Sequence, residues 1–302
     1  MTSFSKKVKK ELSEINNLSN KTLDWYELFG YSLTNSSKEF ITESKYNINR
    51  YARILDNVGV NDYNIGISGK NFAIKTKKTL DDVLRGKNAI EYDKIMNNAD
   101  CGKNNHSNER NFLIDENANK AIIRGAFLGS GTISDPRKGY HLEIYFKDEK
   151  SLYIAIGILN YYNINVKSIE QKKWILYIEE GESISNFLAF VGAKNSVLEF
   201  EETRVVKEIR NNVNRQINLE NANLNKTILS SVKQINYIKL IKKKNRFNEL
   251  SDKERKLAEI RLKNPDASLD DLRKMLGENI SKSGVSHRMK KIERLAEKLE
   301  NN

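Results

Sequence analysis

Apolar positions in the first two thirds of the chain form two similar runs of predicted elements. The first run predicts helix 23–33, strand 40–43, helix 46–58, hairpin strands 63–67 and 72–75, and helix 80–84. The second run, about 100 residues later, predicts helix 121–128, strand 140–146, helix 151–162, hairpin strands 164–169 and 174–178, and helix 184–191. Each run reads as an αββαββα unit in which the second strand of the first pair is weakly marked, so we expect a pseudo-twofold repeat.

Segments of different character surround this repeat. The first 20 residues predict an amphipathic helix, and residues 86–116 are polar and asparagine-rich, which predicts a connector with a short helix. Helical spacing returns around residues 204–215 and over 228–247. The expected domains are an N-terminal half over 1–116, a second half over 117–215, and a helical linker with a C-terminal domain over 216–302.

The C-terminal segment carries the clearest local signals. Residues 251–263 predict a helix that ends at Asn264-Pro265, because the residue before a proline disfavours helical backbone. Ser268 is placed to cap a helix over 269–276, and Gly277 is placed to end it in the left-handed conformation. Ser281 is placed to cap a second helix with apolar positions at helical spacing: Val285, Met289, Ile292, Ala296 and Leu299. This pattern predicts a helix-turn-helix.

Polar and cationic residues are concentrated at the start of the second helix. A helix-turn-helix holds that end against base edges in the DNA major groove, with flanking cations on phosphates. The predicted base-edge residues are Lys282, Ser283, Ser286, His287 and Arg288. The predicted phosphate contacts are Lys290, Lys291 and Arg294, and Ser268 completes the predicted DNA-binding set. An ordinary helical hairpin with a solvated basic face is the alternative, and the clustering of cations at one end argues against it.

The distribution of charge favours the same partner, double-stranded DNA. The net charge is +12, and residues 216–302 hold 20 Lys/Arg against 12 Asp/Glu. Most of the excess therefore lies with the predicted helix-turn-helix, as binding to a phosphate backbone requires. Arg204, Lys207, Arg210 and Arg215 are possible additional DNA contacts, and a solvated linker helix explains them equally well. No apolar run approaches the length of a membrane span, so no membrane partner is expected.

Composition restricts the remaining chemistry. A single cysteine, Cys101, excludes an intramolecular disulfide framework and indicates a reducing cytoplasm, and the charged N-terminus lacks the apolar core of a secretion signal. Three widely separated histidines give no metal-ligand spacing, although a site made of carboxylates alone stays open. No glycine loop lies between a strand and a helix, so no cofactor is expected.

Several stretches resemble the WhiA family of bacterial DNA-binding regulators. The matching stretches are 124–136 (RGAFLGSGTISDP), 140–144 (YHLEI), 198–215 (LEFEETRVVKEIRNNVNR), 220–227 (ENANLNKT), 264–276 (NPDASLDDLRKML) and 280–292 (ISKSGVSHRMKKI). The resemblance implies an α+β fold, in which a pseudo-twofold LAGLIDADG-like αββαββα repeat precedes an all-α helix-turn-helix domain. It also implies a sequence-specific regulator tied to cell division and chromosome segregation, and to sporulation genes in some relatives, located in the cytoplasm on the nucleoid. The family's pair of cysteines before the second motif helix is absent, since residues 117–120 stand there.

The same resemblance raises the possibility of nuclease activity. LAGLIDADG endonucleases place an acidic residue from the end of each motif helix at the pseudo-twofold axis, where the two carboxylates hold divalent metals. Aligned with residues 123–131, the motif puts Ser130 at the metal-binding position and Leu128 at the other acidic one. In the first copy it puts Gly30 or a near neighbour within residues 27–33 at the metal-binding position. Neither serine nor glycine replaces a carboxylate, so we expect a protein without catalytic residues. A metal-dependent endonuclease and an interaction platform with a basic localising tail are the competing hypotheses.

Overall fold

The computed structural model describes residues 3–15, 20–97, 114–170 and 173–300. Its contacts divide into a first unit, Met1–Glu208, and a second unit, Ile209–Asn302. Within the described residues, no helix is both long and apolar enough to cross a membrane. Cys101, His106 and part of the predicted connector lie outside the described residues.

The first half of the first unit wraps a three-stranded antiparallel sheet of order β1-β3-β2. Ser3 caps its first helix by accepting a hydrogen bond from the amide of Lys6, and Gly59 ends its third helix in the left-handed conformation. The elements are α1 (Phe4–Glu14), α2 (Lys21–Thr34), β1 (Glu39–Thr42), α3 (Lys45–Val58), β2 (Tyr63–Ser68), β3 (Asn71–Thr76), α4 (Leu80–Lys87) and α5 (Ala89–Asn97).

The second half repeats this arrangement around a four-stranded antiparallel sheet of order β4-β5-β7-β6. The strands of the central pair bury alternate side chains, as the period of two predicts. The elements are α6 (Glu116–Ser130), β4 (Thr132–Ile133), β5 (Leu142–Phe146), α7 (Glu149–Tyr161), β6 (Lys167–Ile169), β7 (Trp174–Ile178) and α8 (Gly181–Val191). The predicted α+β repeat is confirmed.

In each half of the repeat, the second strand of the first pair was predicted to be the weak one, and this prediction was wrong. The weak strand is the first of the pair. In the second half it is β4, which is two residues long and precedes β5, and in the first half no strand lies between α2 and β1. In that interval the Ser37 amide donates to Asn35 Oδ1 (2.8 Å) and the Ser37 hydroxyl donates to the Glu39 carbonyl (2.7 Å). These local bonds hold the segment before β1 in a bend and not in a strand, because polar side chains there compete with a sheet ladder.

The two motif helices, α2 and α6, pack backbone to backbone. A Cβ at Gly30 would lie 2.0 Å from the Ile122 carbonyl oxygen, and a Cβ at Gly125 would lie 2.1 Å from the Glu27 carbonyl oxygen. Because the two contacts are reciprocal, Gly30 and Gly125 occupy equivalent positions in the two halves of the repeat, and so do Glu27 and Ile122. Only glycine permits so close an approach.

A buried carboxylate joins this helix pair to its surroundings. Glu27 is fully buried and accepts hydrogen bonds from Nε and Nη2 of Arg50 (the latter 2.6 Å) and from Nε of Arg124 (2.9 Å). Arg50 Nη1 also donates to the Ile15 carbonyl after α1 (2.5 Å), and Arg124 Nη1 donates to the Val191 carbonyl at the end of α8 (3.3 Å). Burial alone would raise the pKa of Glu27, but the two guanidinium groups outweigh it and lower that pKa.

The second unit is all-helical. The helix α9 (Lys194–Lys243) is continuous over 50 residues and joins the two helical segments expected from the sequence. A 3₁₀ turn (Phe247–Glu249) and three further helices follow it: α10 (Asp252–Lys263), α11 (Leu269–Leu276) and α12 (Lys282–Glu300). Their buried side chains, among them Ile238, Leu257, Leu272, Val285 and Ile292, form one core.

We predict that Gly125→Ala destabilises the first unit by about 3 kcal/mol or more, because the added methyl has no space against the Glu27 carbonyl. The matched control is Gly86→Ala in α4, where nothing lies within 4 Å of the new Cβ. Helix propensity should make that change neutral or stabilising by about 1 kcal/mol. Urea unfolding followed by tryptophan fluorescence measures both, and equal stability of the two variants would contradict the close helix contact.

We predict that Glu27→Gln lowers the free energy of unfolding by about 3–5 kcal/mol near neutral pH, because it leaves two buried guanidinium groups without a counter-charge. A carboxyl with a lowered folded pKa stabilises the native state above its ordinary value of 4.5, and this stabilisation is lost as the pH falls through the folded value. The difference between wild type and variant should therefore shrink below pH 4.5. Exposed Glu14→Gln serves as control, and a difference independent of pH would count against the ion network.

Candidate nucleic-acid interface

The first helix of the predicted helix-turn-helix, α11, begins and ends where the sequence places it. Ser268 Oγ accepts from the Asp271 amide (3.2 Å), and the Ser268 amide donates to Asp271 Oδ2 (3.1 Å), which is a capping box. Gly277 ends the helix at φ +64°. The Ser268 side chain therefore caps its own helix, and this is the contact that the structure shows for it.

The turn after α11 sets the start of α12. Ser281 Oγ accepts from the Gly284 amide (3.1 Å), so it caps α12 as the sequence predicts. A Cβ at Gly284 would lie 2.7 Å from Ile280 Cγ1, so the glycine leaves room for the Ile280 side chain against the first turn. The cap and the packed isoleucine fix where the helix begins.

The helix α12 has two opposite faces. Val285, Met289, Ile292 and Ala296 are buried in the core of the second unit. The opposite face carries Ser283, His287, Lys290 and Arg294, all exposed and spaced four, three and four residues apart. These four residues form what we call the polar stripe. It combines a hydroxyl, an imidazole and two cations on one solvent-facing line.

Two other residues of the predicted set flank the stripe at the same end of α12. Lys282 is exposed, and Ser286 is half-buried. The Ser283 hydroxyl lies 2.8 Å from the Ser281 hydroxyl of the cap. The polar stripe and these flanking side chains therefore share the N-terminal end of the helix.

Arg288 is placed differently from its neighbours. Its Nη1 donates to Glu278 Oε2 (2.7 Å), and its side chain is only 17% exposed. Lys256 on α10 also approaches Glu278 (3.6 Å) and donates to the Leu276 carbonyl (2.9 Å). The pKa of Glu278 is lowered, chiefly by the hydrogen bond from Arg288. Arg288 therefore ties α12 to the turn, a role that its spacing in the sequence did not reveal.

Lys291 lies on the side of α12 that faces α10. Its Nζ is 3.8 Å from Glu254 Oε1, while its side chain stays 53% exposed. A pair at this distance and exposure contributes little stability and leaves the ammonium accessible to solvent. Lys291 thus presents an accessible ammonium beside the polar stripe.

A buried arginine, which the sequence reasoning missed, supports the loop before α11. Arg261 is 2% exposed, and its Nη1 donates to the Ala267 carbonyl (2.6 Å) and to Ser231 Oγ on α9 (3.3 Å). Its Nε has no partner among the described residues. Burial lowers the pKa of Arg261. The position of Arg261 in the pattern of apolar and polar residues along α10 did not indicate that its side chain is buried.

The four cations proposed as additional contacts lie on α9. Arg204 pairs with Glu201 one turn earlier (3.2 Å), and the Lys207 ammonium lies 4.6 Å from the centre of the Tyr140 ring. Arg210 is exposed, and Arg215 donates to Asn212 Oδ1 (2.6 Å). The first two are therefore engaged with neighbouring side chains, whereas Arg210 and Arg215 project from an exposed stretch of helix.

The ends of the motif helices hold no carboxylate at the expected positions. The reciprocal glycine contacts pair Thr34 with Gly129, so Ser130 corresponds to Asn35. The prediction of Gly30 or a near neighbour within residues 27–33 was therefore wrong. Asn35 Nδ2 donates to the Glu39 carbonyl (2.8 Å), and Ser130 Oγ donates to the Tyr145 carbonyl (2.6 Å). Over the described residues, no group of three His, Cys, Asp or Glu side chains is arranged to hold a metal.

Comparison with known proteins matches the second half of the first unit and most of the second unit. The WhiA LAGLIDADG-like domain model matches residues 119–210, and the WhiA C-terminal HTH domain model matches residues 213–296. The chain is 45% identical over 196 residues to "Probable cell division protein WhiA" of Clostridium tetani, which is 65% of this chain and 62% of the relative. It is 46% identical over 186 residues to the protein of that name from Clostridium acetobutylicum, which is 61% of this chain and 59% of the relative. The matched region thus spans about three fifths of these curated relatives.

The fold also resembles a solved structure. The crystal structure of full-length WhiA from Thermatoga maritima aligns with a TM-score of 0.55 over 98% of this chain and 99% of that chain. The sequences are 24% identical, so this likeness concerns the fold alone.

Proposed function

The chain belongs to the WhiA family, and from that premise we propose that it is a sequence-specific double-stranded DNA-binding protein that acts as a regulator in cell division. The observation that carries the proposal is the exposed polar stripe of α12, opposite a fully buried core face. A helix of this kind, held by a second helix and a capped turn, has the geometry that enters the major groove.

The residues divide by their expected contact. Lys282, Ser283, Ser286 and His287 lie in the first turns of α12, where side chains of a recognition helix reach base edges. Lys290, Lys291 and Arg294 lie farther along the helix and suit phosphate oxygens, which position a protein without reading sequence. Arg288 is proposed to position the turn through Glu278 rather than to read bases.

The cellular role is the finer part of the proposal. The curated relatives carry the name of a probable cell division protein. We propose that this chain acts in the cytoplasm on the nucleoid, in transcription and chromosome segregation, and that Arg210 and Arg215 on α9 add phosphate contacts. The excess of cations in residues 216–302 supports binding to an anionic polymer.

We further propose that the protein is not an endonuclease. At the ends of the motif helices, the amide of Asn35 and the hydroxyl of Ser130 stand at the two positions where the enzymes of this fold use carboxylates, and both are engaged with backbone carbonyls. A neutral amide and a hydroxyl supply neither the charge nor the ligand strength that divalent metals require.

To test DNA binding, the full chain would first be used to select duplexes from a random pool. Its affinity for a selected duplex would then be measured as a function of salt concentration. Lys290→Ala and Arg294→Ala should each weaken binding to all sequences and reduce the salt slope by about 1. His287→Ala should instead reduce the preference for the selected site by about tenfold. Exposed Lys150→Ala in the first unit is the charge-matched control. If the full chain binds no duplex, the interaction-platform hypothesis replaces this one.

The role of Arg288 is separable by a paired test. If Arg288 only positions the turn, Glu278→Gln should reproduce most of the DNA-binding loss caused by Arg288→Ala. If Arg288 contacts DNA directly, removal of the Glu278 charge should leave affinity unchanged or raise it. Binding of the selected duplex by each variant, with circular dichroism to check folding, decides between the two.

For nuclease activity, supercoiled plasmid and the selected duplex would be incubated with the full chain and Mg²⁺ or Mn²⁺. We expect no nicking or cutting above the buffer control. Metal-dependent cleavage that co-purifies with the protein and disappears in Asn35→Ala or Ser130→Ala would overturn the proposal.

A further inference from the structure

A cavity of about 630 Å³ opens in the first unit beside the end of the motif helix α6. Its walls come from α1, from the segment joining β1 to α3, and from the turn between α6 and β4. Ser130, at the position where the enzymes of this fold use a metal-binding carboxylate, is part of the wall. This volume lies in the range of small-molecule sites, about 300–1,000 Å³.

The side chains around this cavity are cationic. Lys6, Lys9, Lys10 and Lys45 line it, and the one acidic side chain in the wall is Glu43. Lys6 already pairs with Glu43 (2.8 Å). The cavity wall therefore carries a net excess of three positive charges.

Lys9 and Lys45 form no close ion pair in the part of the chain that the structure describes, and the nearby carboxylate of Glu43 already pairs with Lys6. Lys9 is partly buried, with its Nζ 5.9 Å from the centre of the Phe127 ring. Burial lowers the pKa of this ammonium to about 8, against the opposing attraction of Glu43. A desolvated cation whose only nearby carboxylate in the cavity wall is paired with another lysine is costly, and a bound anion would relieve that cost.

The first turn of α3 adds to the positive potential. Ser44 and Lys45 line the cavity, and Ser44 is the N-cap of this 14-residue helix. The N-terminal end of a helix carries partial positive charge and free amide groups that favour anions. The same concentration of positive charge disfavours a divalent metal at this place.

Two exposed side chains offer an apolar surface in the same cavity. Ile41 is 44% exposed and Tyr46 is 47% exposed, and both belong to the wall. Lys10 lies 4.7 Å from the centre of the Tyr46 ring. A ring with a cation on it can hold a planar heterocycle beside an anionic group.

We propose that this cavity binds a small organic diphosphate of the nucleoside diphosphate class. A phosphate group carries about −1.5 to −2 charges near pH 7, so a single phosphate leaves part of the lysine charge unbalanced, while a diphosphate matches it. The lysine ammoniums bind the phosphate oxygens as point charges, and Tyr46 with Ile41 contacts the nucleoside. The inference concerns the first unit and does not rest on DNA binding by the second.

The test is isothermal titration of the full chain with ADP and, separately, with inorganic pyrophosphate. Lys9→Gln and Lys45→Gln should each weaken both probes about tenfold or more, since each removes a charge-assisted contact. Tyr46→Ala should weaken ADP and leave pyrophosphate unchanged. Lys150→Gln on α7, exposed and not among the residues of this wall, is the matched control and should change neither.

The outcomes that overturn the proposal are distinct. Absence of saturable binding by either probe excludes the site, and equal weakening by Lys150→Gln shows that the attraction is only general charge. Because Lys45 is exposed, its substitution keeps the test valid even if Lys9→Gln unfolds the protein. If neither probe binds but Lys45→Gln weakens duplex binding while Lys150→Gln does not, the cavity receives nucleic-acid phosphate and not a small molecule.

Discussion

The first unit depends on one buried carboxylate. Glu27 lies inside the interface of the two motif helices and accepts hydrogen bonds from guanidinium groups on α3 and α6. Those guanidiniums in turn hold the backbone at the end of α1 and at the end of α8. A charge in this position is tolerable only because every partner is in place, so the contact constrains how both halves of the repeat assemble.

The same interface explains how the two halves of the repeat are held in their pseudo-twofold arrangement. Gly30 and Gly125 bring the two helix backbones into direct contact, which fixes the pseudo-twofold arrangement. At the ends of these helices, Asn35 and Ser130 hydrogen-bond to nearby carbonyls and stabilise local turns. Lysines from α1 and α3 then surround the adjacent cavity. The net positive charge of the cavity wall disfavours a metal ion there.

The second unit separates structural and exposed residues on a single helix. Period and capping place Val285, Met289, Ile292 and Ala296 in the core, and the polar stripe follows on the opposite face as a geometric consequence. Arg261 and the pair of Arg288 with Glu278 fix the loop and the turn that aim this helix. The cations of the second unit thus fall into two groups, those that hold the loop and the turn and those that are exposed on α12. Only the contacts in the structure separate the two groups.

Local sequence determined the elements whose signals are local. The bounds of α11, its serine cap and its left-handed Gly277 follow from the sequence, because capping and turn conformations involve residues within one helical turn. The pseudo-twofold repeat and the core face of α12 likewise follow from the periods of apolar residues. Tertiary structure alone decided that Asn35 and not Gly30 matches Ser130. It also decided that Arg288 and Arg261 contact other groups of the same chain, and that lysines distant in sequence line one cavity. These features join residues far apart along the chain, and a pattern read within a short window carries no information on which distant side chain completes a contact.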